Sequence, residues 1–293
     1  MLSFISNFFF VLDSHIIFDL IILFVIISMG FNSFIFTPLK LSDEQLKYHH
    51  TKTNIYLYIY MTNNKICFKY NINPNIIINN TEDYYVIPFG HRCSSALAIK
   101  YASLRKMSLP FDWTIPVFPK KIKNVLENNF KDFIPDVHNN IFRNKYDFSL
   151  CHFNNNIDEG IKQYERRIER FKKIIKGDTK MYFVYINEDY LYDEKYREKE
   201  FNDNIFSQML ELELYLKKKY LKINYNILYF NFFEHKIPKE SNIINIVLNT
   251  NITYNQIPGS PFETLREYCG KILSIIFKSE FKHGYSKETF NEE

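Results

Sequence analysis

Residues able to do nucleophilic chemistry gather in one stretch, Gly90-His91-Arg92-Cys93-Ser94-Ser95-Ala96, which runs on through Leu104-Arg105 to Ser108-Leu109-Pro110-Phe111-Asp112-Trp113. An unperturbed cysteine titrates near ~8.5, so a thiol needs help to act as a thiolate at neutral pH. Cys93 is placed to receive it. The apolar run Tyr84 to Phe89 reads as a buried strand, and Ala96, Leu97, Ile99, Lys100 and Leu104 then repeat at helical spacing. Cys93 therefore falls at or just before a helix N-terminus, with Ser94 or Ser95 as the expected cap. Orphan N–H groups and the helix dipole favour a thiolate there, and His91 and Arg92 act in the same sense.

A thiol nucleophile needs a base, and the base needs an orienting group. The expected base is His152, in Cys151-His152-Phe153 at the end of a short apolar run. The expected orienting group is Asp112, held in a turn by Pro110 and two aromatics, with Asn187 as the alternative after the strong strand Met181 to Ile186. Gly90, His91, Arg92, Ser94 and Trp113 complete the expected binding surface, and the Cys93 and Ser94 amides are the expected oxyanion donors. Against this stands the plainer reading of Cys93 as a small buried hydrophobe. His91, Cys93, Cys151 and His152 form a four-ligand zinc set on paper. Neighbours in a strand point to opposite faces, however, and the Cys-x-x-Cys spacing is absent, so no metal and no cofactor is expected. No Gly-rich phosphate loop is present. His49-His50, His138, His235 and His283 lack partners at ligand spacing and read as ordinary polar positions. The alternating charges of Glu165 to Arg170 read as a solvated helix face.

The stretch Gly-x-x-Cys-x-x-Ala, Leu-Arg, Ser-x-Pro-Phe-Asp-Trp resembles the signature of a domain family of unknown function catalogued with papain-like cysteine peptidases, found in bacteria and large DNA viruses. The likeness continues through Cys151-His152-Phe153 and Glu165-Arg166-Arg167-Ile168-Glu169-Arg170-Phe171, and covers about residues 84 to 190. It implies a cysteine nucleophile, and a papain-like division into a helical half and a β half. The glutamine that papain-like enzymes place before the nucleophile is missing, because that region reads Val86-Ile87-Pro88.

The elements that must position these residues suggest another architecture. Short apolar runs at 84–89, 148–153, 181–186, 227–232 and Ile243 to Leu248 alternate with helical stretches at Lys120–Phe130, Gly160–Ile175, within Phe201–Tyr220 and at Pro261–Phe277. That pattern predicts an α/β fold with a mostly parallel sheet flanked by helices. Ligands bind such sheets at the carboxyl ends of the strands. Cys93 and His152 share that edge if runs 84–89 and 148–153 are parallel neighbours.

Ahead of this domain, Ile16 to Phe36 is almost wholly apolar, and roughly 20 such residues span a bilayer. Lys40, Lys47 and Lys52 follow it and no basic residue precedes it, which predicts a single-pass membrane protein with its main domain in the cytosol. The expected organisation is an anchor over 1–39 and a linker over 40–83 carrying a small β-hairpin, with runs Asn54 to Met61 and Lys65 to Ile72 about Thr62-Asn63-Asn64. An α/β domain follows over 84–280, then a polar tail over 281–293. A chain of 293 residues that is 46% hydrophobic and 18% aromatic has enough apolar material for a sizeable core, which excludes a disordered chain. The net charge of +4 is spread along it and leaves no nucleic-acid footprint. Four cysteines, Cys67, Cys93, Cys151 and Cys269, are too few and scattered for a disulfide scaffold, which points to a reducing compartment. The expected function is a membrane-anchored, peptidase-like cysteine hydrolase acting on a protein or small-molecule substrate. The alternatives are a transferase-like domain using the same cleft for a sugar or nucleotide, and a non-catalytic tethered binding module with a structural Cys93.

Overall fold

The computed structural model describes residues 55–60, 67–72, 77–78, 82–90, 92–115, 117–139, 142–150, 156–191, 194–248 and 261–282. The expected anchor segment 16–36, the turn at 62–64 and residues 283–293 lie outside these. Among the described residues no helix is long and apolar enough to cross a membrane.

Strands β1 (Ile55–Tyr60) and β2 (Cys67–Ile72) pair antiparallel, with Ile55 opposite Ile72 and Tyr60 opposite Cys67. The main sheet is built from β3 (Tyr84–Pro88), β6 (Lys180–Ile186), β7 (Tyr225–Asn231) and β8 (Ile243–Val247), all parallel and adjacent in that order. Side chains alternate between faces along each strand. Met181, Phe183 and Tyr185 join Ile87, Ile227 and Tyr229 on one face. Tyr182, Val184 and Ile186 join Val86, Leu228 and Phe230 on the other. Both faces are covered, so the strands are apolar at nearly every position.

Three helices cover the first face: α2 (Pro119–Glu127), α3 (Ile157–Ile174) and α4 (Lys199–Lys219). They bury Ile122 and Val125, Tyr164 and Phe171, and Met209 and Leu212 respectively. The second face is covered by α1 (Ser94–Tyr101) and α5 (Pro261–Ile276), which bury Ala98, Ile99, Leu265, Ile272 and Leu273. Local chemistry fixes where these helices begin. Pro119 sits at the first position of α2, where its missing N–H costs nothing. The Asn156 side chain caps α3 by accepting from the Glu159 amide at 3.2 Å. Asp158 and Glu159 then lie in the positive first turn, and Lys172 and Lys173 in the negative last one.

The layered α/β arrangement follows the expectation from periodicity, with one correction. Run 148–153 does not join the main sheet. Among its described residues, 148–150, β5 (Ser149–Leu150) pairs antiparallel with β4 (Thr114–Ile115) in a separate small sheet. The cause lies just upstream. The Asn144 carboxamide oxygen accepts from the amides of Tyr146 and Phe148, both at 3.0 Å, and Asp147 takes a left-handed φ of 62°. This tight turn brings Ser149 back beside Arg143 and leaves no crossover connection with which to enter a parallel sheet. Phe148 and Leu150 bury their side chains in the first-face core instead.

Candidate functional site

The end of β3 is where the chain turns toward chemistry. Beyond β3 the chain passes to α1 on one face, and beyond the adjacent β6 it passes to α4 on the other. Connections that part in this way open a crevice at the carboxyl edge of an α/β sheet. Gly90 makes the turn possible. Its φ is +92°, and a Cβ there would stand 2.5 Å from the Val117 Cβ, so no other residue fits without displacing Val117. Arg92 also adopts a left-handed φ of 55°. The Phe89 amide donates to the Val184 carbonyl at 2.8 Å and keeps the strand end against β6.

Cys93 occupies the N-cap position of α1. Its carbonyl accepts from the Leu97 amide at 2.9 Å, and its side chain makes no capping hydrogen bond. The expected caps, Ser94 and Ser95, lie inside the helix and do other things. The Ser95 hydroxyl donates to the Gly90 carbonyl, and Ser94 Oγ accepts from Arg266 Nε at 3.1 Å. Cys93 is half-buried and packs on the cluster of Ala96, Leu97, Tyr101 and Trp113. Cys269 offers a contrast: it is fully buried, and burial, followed by the nearby charge of Glu188, pushes its thiol well up.

Asp112 is fully buried. Its Oδ2 accepts from Arg105 Nη2 at 2.7 Å and from the Leu109 amide at 3.1 Å, while Oδ1 is buried and accepts no hydrogen bond from the described residues. Burial raises its carboxyl pKa, against the opposing pull of Arg105, the Leu109 amide and Arg167. Arg105 also donates to Ser108 Oγ at 2.6 Å and lies 5.4 Å from the centre of the Trp113 ring. The Leu-Arg and Pro-Phe-Asp-Trp parts of the stretch are therefore bound to each other, and they support the wall on which Cys93 packs. Trp113 leads directly into β4, where Thr114 is the register partner of Leu150. His152 follows Leu150 by two residues; it lies outside the described residues, as do His91 and Cys151.

A buried charged network beside Cys93 escaped the sequence reading. Glu188, fully buried just past β6, accepts from Arg266 Nη2 at 3.2 Å, and the same guanidinium holds Ser94. Three segments distant in sequence (the start of α1, the end of β6 and α5) are thereby tied together. The available signal was an acidic residue two positions after the strongest strand. Asn187, the alternative orienting group, donates to Asn202 Oδ1 at 2.8 Å, and Asn202 donates in turn to the Tyr196 and Glu198 carbonyls. That chain of bonds secures the start of α4. On α3, Glu165, Arg166 and Glu169 are exposed, whereas Arg167 is buried with its guanidinium 4.9 Å from the Tyr164 ring centre. Among the described residues no group of three or more His, Cys, Asp or Glu could hold a metal ion.

Fold and site together define a layered α/β domain that presents a half-buried cysteine at a helix start on the carboxyl edge of its parallel sheet. No protein-family model, curated protein or solved structure matches the chain, so the likeness to the peptidase-like family rests on its residues alone.

Proposed function

We propose that the domain is a cysteine-dependent hydrolase, tethered to a membrane by the apolar segment 16–36, with Cys93 as nucleophile. The observation that carries this reading is the place of Cys93, half-buried at the N-cap of α1 where the chains leaving β3 and β6 diverge. A helix start stabilises a thiolate, and its first amides have no intrahelical partner, so they suit an oxyanion. His152 acts as general base. The antiparallel register supports this pairing by a route different from the one the sequence suggests. Trp113 packs with Cys93, Thr114 lies opposite Leu150, and His152 follows within about 7 Å of chain. Asp112 orients the base through Oδ1, a buried acceptor that still lacks a donor.

In the reaction the Cys93 thiolate attacks a carbonyl carbon, and the His152 imidazolium protonates the leaving group as its bond to the acyl carbon breaks. A thioester remains. Water, deprotonated by His152, attacks it, and the acid departs as the thiol is restored.

p-Nitrophenyl acetate tests the nucleophile without knowledge of the natural substrate. The wild-type chain should release a burst of nitrophenolate of one equivalent, with the acetyl group on the Cys93 peptide by mass spectrometry. Cys93→Ala should lose the burst. A burst that survives in Cys93→Ala, or acetylation spread evenly over the thiols, ends the proposal.

A further inference from the structure

We infer that a second site, at the amino edge of the main sheet, opposite the edge that carries Cys93, binds a phosphate monoester. This inference does not rest on the hydrolase reading. The site is a cleft of 580 Å³ between the loop that follows α1 and the last turn of α3, floored by Tyr85 near the start of β3 and bounded by Thr179 just before β6. Among the described residues three cations line it, Lys106, Arg170 and Lys173, and no carboxylate does.

The rim is held in place by groups other than a ligand. Arg105 fixes the Ser108 hydroxyl at 2.6 Å, and Arg170 donates to the Ser108 carbonyl at 3.4 Å. Arg105 is itself anchored on the buried Asp112. The loop therefore presents its outer surface from a braced position, which reduces the ordering cost of binding.

The cations are available to a guest. Among the described residues Arg170 and Lys173 meet no carboxylate, although their neighbour Lys172 pairs with Glu169 at 3.0 Å. Lys106 pairs with Asp83, but that carboxylate is exposed, and an exposed, solvent-screened pair contributes little. A phosphate entering the cleft replaces that contact at little cost. Lys173 and Lys172 also complement the dipole at the end of α3. That role accounts for basic residues in the last turn; it does not account for a third cation, Lys106, brought to the same cleft from another segment.

The chemistry of the lining selects the ligand class. A planar guanidinium and two ammonium groups suit the oxygens of a phosphate dianion. Beside them the cleft offers apolar surface from Met107, Ile174 and the Tyr85 ring, over which Lys106 lies at 5.0 Å. A phosphate monoester bearing an apolar group fills both parts. Such a group occurs on soluble metabolites and on lipids with a terminal phosphate.

Calorimetric titration of the full chain in detergent with phenyl phosphate tests the site. Saturable binding of one equivalent is expected. Lys173→Glu changes an exposed position and leaves the fold intact, and it should weaken binding by about tenfold or more, since one charge-assisted contact is lost. Lys173→Arg should retain it. Displacement of phenyl phosphate by dioctanoyl phosphatidic acid more readily than by inorganic phosphate assigns the site to a lipid headgroup, and the reverse order assigns it to a soluble ester; either order upholds the site. Absence of saturable binding, or equal binding by wild type and Lys173→Glu, overturns it.

Discussion

Arg105 and Asp112 show how much of a chemical-looking motif is architecture. Asp112 is wholly buried, and its charge is met by one guanidinium and one backbone amide. Removing one partner of such a pair leaves an uncompensated buried charge, which costs more than the pair contributes. Arg105→Met should therefore lower stability in urea by ~3–5 kcal/mol, and Arg105→Met with Asp112→Leu should recover part of that loss. A loss below ~1 kcal/mol for Arg105→Met would place the pair among weak surface contacts. Asp112 was legible in the sequence as a residue fixed by its turn. Its partner was not, because nothing in the spacing distinguishes Arg105 from the other basic residues nearby.

At the scale of elements, His235 ties α4 to the connection between β7 and β8. It reads as an ordinary polar position in the sequence, yet its side chain is 4% exposed. The ring stacks on Phe206 of α4 at 4.2 Å and 7°, its Nδ1 lies 3.5 Å from Asp203 Oδ1, and its buried Nε2 has no hydrogen-bond partner among the described residues. Burial lowers its pKa, with Asp203 opposing and Lys199 assisting; the neutral Tyr229 ring lies 6.0 Å away. The folded state therefore resists a proton that the unfolded chain accepts near ~6.5. Stability is complete above that pH and falls as pH drops through it toward the lower folded value. The urea midpoint should decline between about pH 7 and 5, and His235→Phe, which keeps the stack, should flatten the decline. An unchanged slope in His235→Phe would assign the pH dependence elsewhere. Sequence periodicity reveals which helix face is apolar, but not which loop side chain is laid against it.

Across the whole molecule the strands were the most legible feature, because parallel strands covered on both faces leave unbroken apolar runs such as Met181 to Ile186. The same rule misplaced 148–153. Phe148 and Leu150 are apolar because helices bury them, and the turn at Asn144 to Asp147 sends the strand to β4. The helix start at Cys93 was legible from spacing, while the Ser94–Arg266–Glu188 network, closed across 172 residues, was not. The apolar run 16–36 belongs to this scale also. Full-length protein should sediment with membranes and resist carbonate extraction, and a chain beginning near Leu41 should remain soluble. Soluble full-length protein would remove the tether from the proposal.

The central claim is that Cys93 is a thiolate paired with His152, and the rate of its alkylation by iodoacetamide against pH tests that claim most directly. In folded wild-type protein Cys93 should be labelled faster than Cys67, Cys151 and Cys269 at about pH 6 to 7, with an inflection below the ~8.5 of a free thiol. His152→Ala should move the inflection upward, because the imidazolium that stabilises the thiolate is gone, and Asp112→Ala should move it less. Labelling of Cys93 no faster than the other thiols, or an inflection unmoved in His152→Ala, would contradict the account.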